Sequence, residues 1–247
     1  METPIIQTAL VTGANKGLGL ETARRLGAQG WKVFLGSRDE ARGRAAADTL
    51  AADGIDVVFV QLDVTDDASV AAAERLVREH ADHLDVLVNN AGSPGAIVHP
   101  GEALPADLVP AFEVNVYGPV RVTHAFLPLL QAADNPRVVN VSSAAGSFAV
   151  VTDPGQAVSK MHELAYTTSK AALNMLTVRY AQAFPGIKFN AVTPGEVATG
   201  KFAATDMNGH RGQLTVTEGS DPFIRLALLD ADGPTATFTD RLGHVDW

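Results

Sequence analysis

Short apolar runs alternate with helix-like segments along most of this chain, and this alternation narrows the choice of folds. Each run is rich in Val, Ile or Leu and is bounded by polar residues or glycine. Runs that are apolar throughout are typical of parallel strands buried on both faces. The predicted strands are Ile5–Val11, Trp31–Leu35, Val57–Leu62, Leu84–Val88, Arg137–Val141, Ile187–Val192 and Thr235–Thr239.

The segments between these runs have the composition of helices. Helices are predicted over Leu18–Gln29, Arg38–Ala52 and Asp66–His80, where Asp66 and Asp67 suit a helix N-terminus. Pro119 indicates a further helix that begins near it, because proline suits a first helical turn. Strands that alternate with helices form a parallel sheet covered on both faces. The sequence therefore predicts an α/β fold with a doubly wound parallel sheet of about seven strands.

The stretch 195–215 interrupts the alternation. It is rich in Gly, Ala, Thr and polar residues and has no regular period. A loop of this length inside a compact domain is usually a lid or a binding loop. We therefore expect residues 195–215 to form a lid over a substrate site.

A glycine-rich turn, TGANKGLG over residues 12–19, joins the first predicted strand to the first predicted helix. Glycines allow the backbone to approach the phosphates of a dinucleotide closely, and the helix N-terminus offers free N–H groups. The spacing is Gly-x3-Gly-x-Gly, and a plain strand–helix turn is the alternative interpretation. Its position at the first strand–helix junction favours phosphate binding.

The residues after the second strand favour NADP(H) over NAD(H). An NAD site usually has a carboxylate there for the ribose hydroxyls. Here the strand is followed by Ser37 and Arg38, and Lys16 adds a second cation in the glycine-rich turn. Arginine binds phosphate through paired charge-assisted hydrogen bonds, so these cations suit a 2′-phosphate. Asp39 is the one nearby carboxylate that argues the other way.

Tyr166 and Lys170 are four residues apart in a segment with helical character. Side chains at this spacing lie on one helix face. A phenol is a weak acid, and a neighbouring ammonium group favours its ionised form. Ser142 and Ser143 follow a predicted strand, at the sheet edge where ligands of open α/β folds bind. The four residues are therefore candidates for one acid–base site.

Composition excludes several classes of function. The chain has no cysteine, so disulfides, thiolate catalysis and zinc–thiolate sites are excluded. A formal net charge of -9 argues against a nucleic-acid-binding surface. No apolar run approaches the ~18 residues of a membrane span, and Met1–Gln7 lacks the pattern of a signal peptide. A cytoplasmic protein with a small-molecule substrate, without nucleic-acid or membrane partners, is expected.

Several short motifs occur along about four-fifths of the chain. They are TGANKGLG (12–19), LDVTD (62–66), NNAG (89–92), VNVYG (114–118), NVSS (140–143), YTTSK (166–170) and PGEVAT (194–199), with SRD (37–39) and NGHRG (208–212). In the first seven the chain resembles the short-chain dehydrogenase/reductase family, and in the last two, with the lysine of the glycine-rich turn, it resembles the carbonyl-reductase branch. The resemblance implies a single Rossmann-type domain over residues 1–247.

The resemblance implies a role for each matching residue. Tyr166 would be the proton donor or acceptor, and Lys170 would lower its pKa and bind the nicotinamide ribose. Ser143, with Ser142 as the alternative, would hold the substrate carbonyl, and Asn115 would hold a water that links Lys170 to solvent. The expected reaction is hydride transfer between NADP(H) and a ketone, aldehyde or alcohol.

The resemblance also implies a set of cofactor contacts. Asp63, Asn90 and Gly92 would line the adenosine side, and Val197 and Thr199 would contact the nicotinamide carboxamide. The full expected set is Gly13, Asn15, Lys16, Gly17, Leu18, Gly19, Ser37, Arg38, Asp63, Val64, Asn90, Ala91, Gly92, Tyr166, Lys170, Pro194, Gly195, Val197 and Thr199.

The chain departs from the family pattern at three places. Ser143 and Tyr166 are 166 − 143 = 23 residues apart, and this insertion argues against the usual helix–helix interface of a family homo-oligomer. Residues 200–205 look inserted. Glu196 is unusual after Pro-Gly; it is either solvated or paired with Lys201 or Arg211, or it favours a cationic or hydroxylated substrate.

Other candidates carry less weight. His99, His124, His162 and His210 lack the spacing of metal ligands, so no metal site is predicted. His162 or Glu163 could reach the pocket rim.

A protein that binds NADP(H) without turnover is the alternative function, and a methyltransferase is a third. The complete Ser–Tyr–Lys–Asn set argues against a sensor, and the two cations and the Tyr–Lys pair argue against a methyltransferase.

Overall fold

The computed structural model describes residues 6–247. Its central sheet contains seven parallel strands in the order β3-β2-β1-β4-β5-β6-β9, as the sequence predicted. The start of the predicted first strand, Ile5, lies outside the described residues. The strands are β1 (Thr8–Val11), β2 (Lys32–Ser37), β3 (Val57–Gln61), β4 (Val86–Asn89), β5 (Arg137–Val141), β6 (Lys188–Val192) and β9 (Phe238–Thr239), and β7 (Gly195–Glu196) pairs separately with β8 (Lys201–Phe202).

Eight α-helices accompany the strands over the described residues. They are α1 (Gly17–Gly27), α2 (Glu40–Ala52), α3 (Asp67–His80), α4 (Pro105–Phe112), α5 (Gly118–Gln131), α6 (Phe148–Val151), α7 (Leu164–Ala183) and α8 (Val216–Ala227). None of the described helices has both the length and the apolar content to cross a membrane.

Alternating side chains of each strand pack into two cores, one on either face of the sheet. On β2, Val33 and Leu35 join a cluster that includes residues of α1 and α8. Phe34, between them, joins the opposite cluster with residues of α3 and α5. Because both faces are covered, both sets of positions must be apolar. This explains the continuous apolar runs in the sequence.

Local capping explains where α3 begins. The Asp66 carboxylate accepts hydrogen bonds from the N–H groups of Ala68 (2.8 Å) and Ser69 (3.2 Å) at the start of α3. These bonds satisfy donors that the first turn of a helix otherwise leaves free. The predicted helix-capping role of Asp66 is confirmed.

The prediction of a helix that begins near Pro119 is confirmed, since α5 begins at Gly118 and has Pro119 in its first turn. A π-helical turn, Glu113–Tyr117, joins α4 to α5. The Gly118 N–H donates to the Glu113 carbonyl five residues back. Pro119 has no N–H, so the carbonyl of Asn115 lacks the usual donor four residues on. Turns of this kind occur frequently at functional sites.

The predicted lid is partly regular. Within 195–215, β7 and β8 form a short antiparallel hairpin, with Gly195 opposite Phe202 and Glu196 opposite Lys201. Gly200 closes its turn at a φ of 70°, in the left-handed region that glycine favours. Strands of two residues leave no periodic trace in a sequence, which is why the hairpin was not predicted.

Candidate active site

The glycine-rich turn lies close to the segment that follows β4. A Cβ atom on Gly13 would stand 3.0 Å from the Cα of Ala91, and one on Gly19 would clash with the Asn90 side chain. Asn90 also donates its amide to the carbonyl of Thr12 at 2.8 Å. We call the space bordered by residues 12–19 and 89–92 the nucleotide groove. Its walls approach this closely only because glycines line it.

The start of α1 suits an anion. The helix begins at Gly17, whose φ is 55° and beside which a Cβ would meet no atom within 4 Å. Lys16 precedes it without a side-chain capping bond. The first N–H groups of the helix therefore have no side-chain acceptor, and the helix dipole favours negative charge there. These features fit the phosphates of a dinucleotide.

At the end of β2, one cationic side chain is exposed, and the side chains on either side of it form hydrogen bonds within the protein. Arg38 is exposed, whereas Ser37 is 1% exposed and donates its hydroxyl to the carbonyl of Asp39 at 2.9 Å. The Asp39 carboxylate caps α2 by accepting from the Arg42 N–H at 3.0 Å. Asp39, the one nearby carboxylate that favours NAD(H), is therefore engaged as the N-cap of α2. Ser37 lies in the expected region, but its side chain is turned inward.

The adenine-side candidates lie at the end of β3. Asp63 is partly buried, and its Oδ1 accepts from the N–H (2.9 Å) and the hydroxyl (2.7 Å) of Thr65. Val64 is buried, and a Cβ on Gly118 would stand 2.9 Å from its Cγ2. This turn is therefore fixed by its own hydrogen bonds and by packing under the π-helical turn.

The structure brings Ser143, Tyr166 and Lys170 together at the carboxyl end of β5. The turn after Ser143 packs tightly on α7, because a Cβ on Gly146 would stand 2.6 Å from the backbone carbon of Lys170. This close approach sets α7 beside the end of β5. The Lys170 ammonium group lies 5.7 Å from the centre of the Tyr166 ring and donates to the carbonyl of Val141 at 2.8 Å.

The two candidate serines have different surroundings. Ser142 is 2% exposed, and its hydroxyl donates to Asn174 Oδ1 at 2.5 Å. Ser143 is partly exposed and interacts with the phenol of Tyr166. Ser143 is therefore the serine that faces Tyr166, and Ser142 fastens β5 to α7.

Burial controls the protonation of the tyrosine–lysine pair. Burial raises the pKa of Tyr166, and the Ser143 side chain opposes this shift. Burial also lowers the pKa of Lys170 to about 8, since a desolvated ammonium group is unfavourable. The resemblance implied a lowered tyrosine pKa, but in this structure desolvation outweighs the hydrogen bond with Ser143. The phenol therefore rests in its neutral form.

Asn115 lies in the π-helical turn and is fully buried. Its side-chain amide donates to the Ser93 carbonyl (2.8 Å) and to the Ser169 hydroxyl (2.9 Å), and its Oδ1 accepts from the Ser93 N–H (2.9 Å). The Ser169 hydroxyl in turn donates to the Tyr166 carbonyl at 2.7 Å. Asn115 thus connects the loop after β4 to α7. Sequence reasoning assigned no role to Ser93, which lies outside every motif, or to Ser169, which lies within YTTSK.

The segment after Pro194 is held by the C-terminal residues. The Val197 N–H donates to Asp240 Oδ2 at 2.7 Å. Glu196 is 5% exposed and accepts from Arg241 at 2.6 Å and from the Thr199 hydroxyl at 2.8 Å. The expected pairing of Glu196 with Lys201 or Arg211, or its solvation, is therefore wrong. Arg241 lies 45 residues away in sequence, so no local pattern could indicate it.

The Glu196 side chain stays ionised in this contact. The Thr199 hydroxyl and then the Arg241 guanidinium hold its pKa below the usual value. Asp240 and Arg241 match no motif, and their involvement depends on β9 lying beside β6.

The histidines do not converge on a metal site. His99 and His162 approach each other, with ring centres 6.3 Å apart, and so bring the loop after β4 beside the segment before α7. His210 pairs with Asp206 at 2.7 Å. No group of three or more metal-ligating side chains occurs among residues 6–247.

Fold and site together define a Rossmann-type oxidoreductase with a tyrosine–lysine pair at the carboxyl edge of its sheet. Residues 7–208 match the family described as short chain dehydrogenase. The chain belongs to the short-chain dehydrogenase/reductase family, as its motifs implied.

Two curated relatives match over almost their whole length. A (+)-neomenthol dehydrogenase of Arabidopsis thaliana is 36% identical, over 97% of this chain and 97% of that protein. A salutaridine reductase of Papaver somniferum is 33% identical, over 94% and 93%. Among solved structures, the NADPH-bound carbonyl reductase from chicken fatty liver superposes with a TM-score of 0.84 at 29% identity, over 98% of this chain and 99% of that one.

Proposed function

We propose that this chain is an NADP(H)-dependent enzyme that interconverts a ketone or aldehyde and an alcohol, with Tyr166 as proton donor or acceptor. The observation that carries the proposal is the meeting of Ser143, Tyr166 and Lys170 beside the nucleotide groove. The relatives support it, since they include reductases, a dehydrogenase and an NADPH-bound carbonyl reductase.

The choice of NADP(H) rests on charge. Arg38 is exposed at the end of β2, Lys16 stands at the start of α1, and the nearby Asp39 carboxylate is engaged in capping. Arg38 would hold a 2′-phosphate together with Lys16, which is ion-paired with Asp206 in this structure and would exchange that partner for the phosphate. The free N–H groups at the start of α1 would hold the pyrophosphate. When bound, the dinucleotide supplies or accepts the hydride.

The protein's own residues handle the proton. Ser143 would hold the substrate oxygen next to the Tyr166 phenol. Because burial keeps this phenol neutral, it is ready to donate its proton to the oxygen of a carbonyl. Lys170 places an amine beside the ring, where a positive charge stabilises the phenolate left behind. The Asn115 carbonyl, which lacks its usual helical donor, would hold a water that returns a proton to Lys170.

The test is NADPH consumption over a panel of aldehydes, ketones, quinones and keto esters, with NADH as the comparison. We expect NADPH oxidation with at least one class. We expect the Tyr166→Phe variant to bind NADPH with unchanged affinity but to turn over roughly a thousandfold more slowly, because the proton donor is gone.

Tyr180→Phe is the matched control for this test. Tyr180 lies on the same helix, stacked on Phe184 and Phe189 in the core. Its variant should keep full activity. Substantial turnover by Tyr166→Phe would reject the assigned role. NADPH binding without oxidation of any panel member would favour the sensor, and a preference for NADH would reject the role given to Arg38 and Lys16.

A further inference from the structure

After Pro194 the chain forms a short hairpin and returns to a position next to Pro194. β7 and β8 pair so that Gly195 stands opposite Phe202. One residue further on, the Ala203 N–H donates to the Pro194 carbonyl at 3.0 Å. Residues 196–201 therefore form a closed hairpin loop, and Ala203 takes up a position beside Pro194.

Hydrogen bonds hold the polar groups of the hairpin loop. The Val197 N–H donates to the Asp240 carboxylate, and the Thr199 hydroxyl donates to the Glu196 carboxylate. Val197 also packs against a cluster that contains Phe238 and residues of the C-terminus. Both polar groups that the PGEVAT motif assigns to the nicotinamide carboxamide are thus already bonded to carboxylates.

The residues after the hairpin loop lie along the nucleotide groove instead. Asp206 forms an ion pair with Lys16 of the glycine-rich turn. A Cβ on Gly92, on the opposite wall of the groove, would stand 3.5 Å from the terminal methyl of Met207. Ala203 lies near Leu18 in the first turn of α1, since a Cβ on Gly219 would approach the side chains of both, at 2.5 and 3.0 Å.

We propose that Thr205, not Thr199, is the threonine that binds the dinucleotide, and that residues 196–201 are an added loop that cofactor binding does not require. Thr205 stands between Ala203, near the start of α1, and Asp206, which reaches Lys16. Its N–H is held by Asn208 Oδ1 at 3.1 Å. In the bound state its hydroxyl would donate to the pyrophosphate, whose negative charge strengthens such a bond. This inference rests on the proposed function only in assuming that the chain binds a nicotinamide dinucleotide.

The test measures equilibrium binding of NADPH by calorimetry, without turnover, to wild type, Thr205→Val and Thr199→Val. Valine keeps the shape of threonine and removes only the hydroxyl. We expect Thr205→Val to raise Kd about tenfold, the usual cost of a hydrogen bond to a charged group. Thr199→Val should stay within about twofold of wild type. Thr152→Val, at an exposed threonine on α6, is the surface control.

A deletion tests the second part of the proposal. Gly195 and Phe202 are cross-strand partners, about 5 Å apart at Cα, so joining them directly removes residues 196–201 with little rearrangement. The folded deletion protein, checked by circular dichroism, should bind NADPH within about threefold of wild type. Point variants decide the threonine assignment whether or not the deletion protein folds.

The outcomes separate this inference from the proposed function. A larger effect of Thr199→Val than of Thr205→Val, or a folded deletion protein that does not bind, would overturn the inference while NADPH binding by wild type stands. If wild type binds NADH in preference, the same comparison is made with NADH, and only the choice of cofactor fails. A wild-type chain that binds neither dinucleotide would overturn both.

Discussion

Lys170 should weaken the fold at neutral pH while serving the active site. Its side chain is 3% exposed, and burial lowers its pKa from the ordinary 10.5 to about 8. Below pH 8 the folded protein must therefore carry a buried ammonium group. Replacing Lys170 with methionine removes that charge and keeps a similar shape, so the variant should lose activity and also lose the charge-burial cost.

The magnitude follows from linkage between protonation and folding. The pKa falls by 10.5 − 8, or about 2.5 units, and each unit is worth 1.36 kcal/mol, so the cost is about 3 kcal/mol at neutral pH. Between pH 8 and 10.5 the unfolded chain binds more protons at this site than the folded one. The free energy of unfolding therefore rises with pH in that window. Below the window, the contribution of Lys170 to stability is at its lowest.

The assay is urea unfolding of cofactor-free wild type and Lys170→Met at several pH values. Relative to the variant, wild type should gain about 2 kcal/mol between roughly pH 7 and pH 9.5. Methionine also leaves the Val141 carbonyl without its donor, at a cost of about 1–3 kcal/mol. That cost does not depend on pH. The informative quantity is therefore the slope, against pH, of the difference in unfolding free energy between wild type and Lys170→Met. Lys160→Met, at an exposed lysine, should show no slope.

A constant difference between wild type and Lys170→Met over this range would refute the reasoning. It would mean that the Lys170 amine is solvated in the folded protein or is compensated by a partner that the structure does not show. A slope of the opposite sign would mean that the folded state stabilises the ammonium form.

Three further perturbations test the site and its support. Gly146→Ala should force α7 away from the turn after Ser143, costing about 1–3 kcal/mol in urea unfolding and lowering kcat more than NADPH affinity; unchanged kcat would show that the close approach at Lys170 is not needed. Arg38→Leu should raise the Kd for NADPH about tenfold and leave NADH binding within about twofold, and equal effects on both would remove Arg38 from the phosphate site. Asn140→Leu should cost about 2 kcal/mol of unfolding free energy, because it strands the buried Asn89 amide that now donates to Asn140 at 2.9 Å; a neutral result would show that the amide finds another partner.

Features that depend on neighbours along the chain could be predicted from the sequence. The period of the apolar runs indicated a doubly wound parallel sheet, and the structure has seven parallel strands. The cap of α3 at Asp66 is a contact over two and three residues. The glycine-rich turn and the Tyr166–Lys170 spacing were visible for the same reason, since helix geometry relates residues four apart.

Within the candidate site, the segment after Pro194 shows where a linear pattern leaves a choice open. The motif PGEVAT is contiguous, so a linear match assigns the carboxamide contacts to Val197 and Thr199. The structure folds residues 196–201 into a hairpin loop and returns the chain to Pro194 at Ala203. A pattern read along the sequence cannot tell which side of an inserted loop stays at the groove, because that depends on what the loop packs against.

The sequence alone determined the sheet, the glycine-rich turn, and the residue types at the end of β5 and on α7, since each follows from local geometry and period. Only the tertiary structure decided the partner of Glu196, which is Arg241, and the contacts of Asn115 with Ser93 and Ser169. It also decided that burial raises the pKa of Tyr166. The physical reason is that desolvation and long-range contacts depend on what packs around a group, whereas periodicity and spacing describe only its neighbours in the chain.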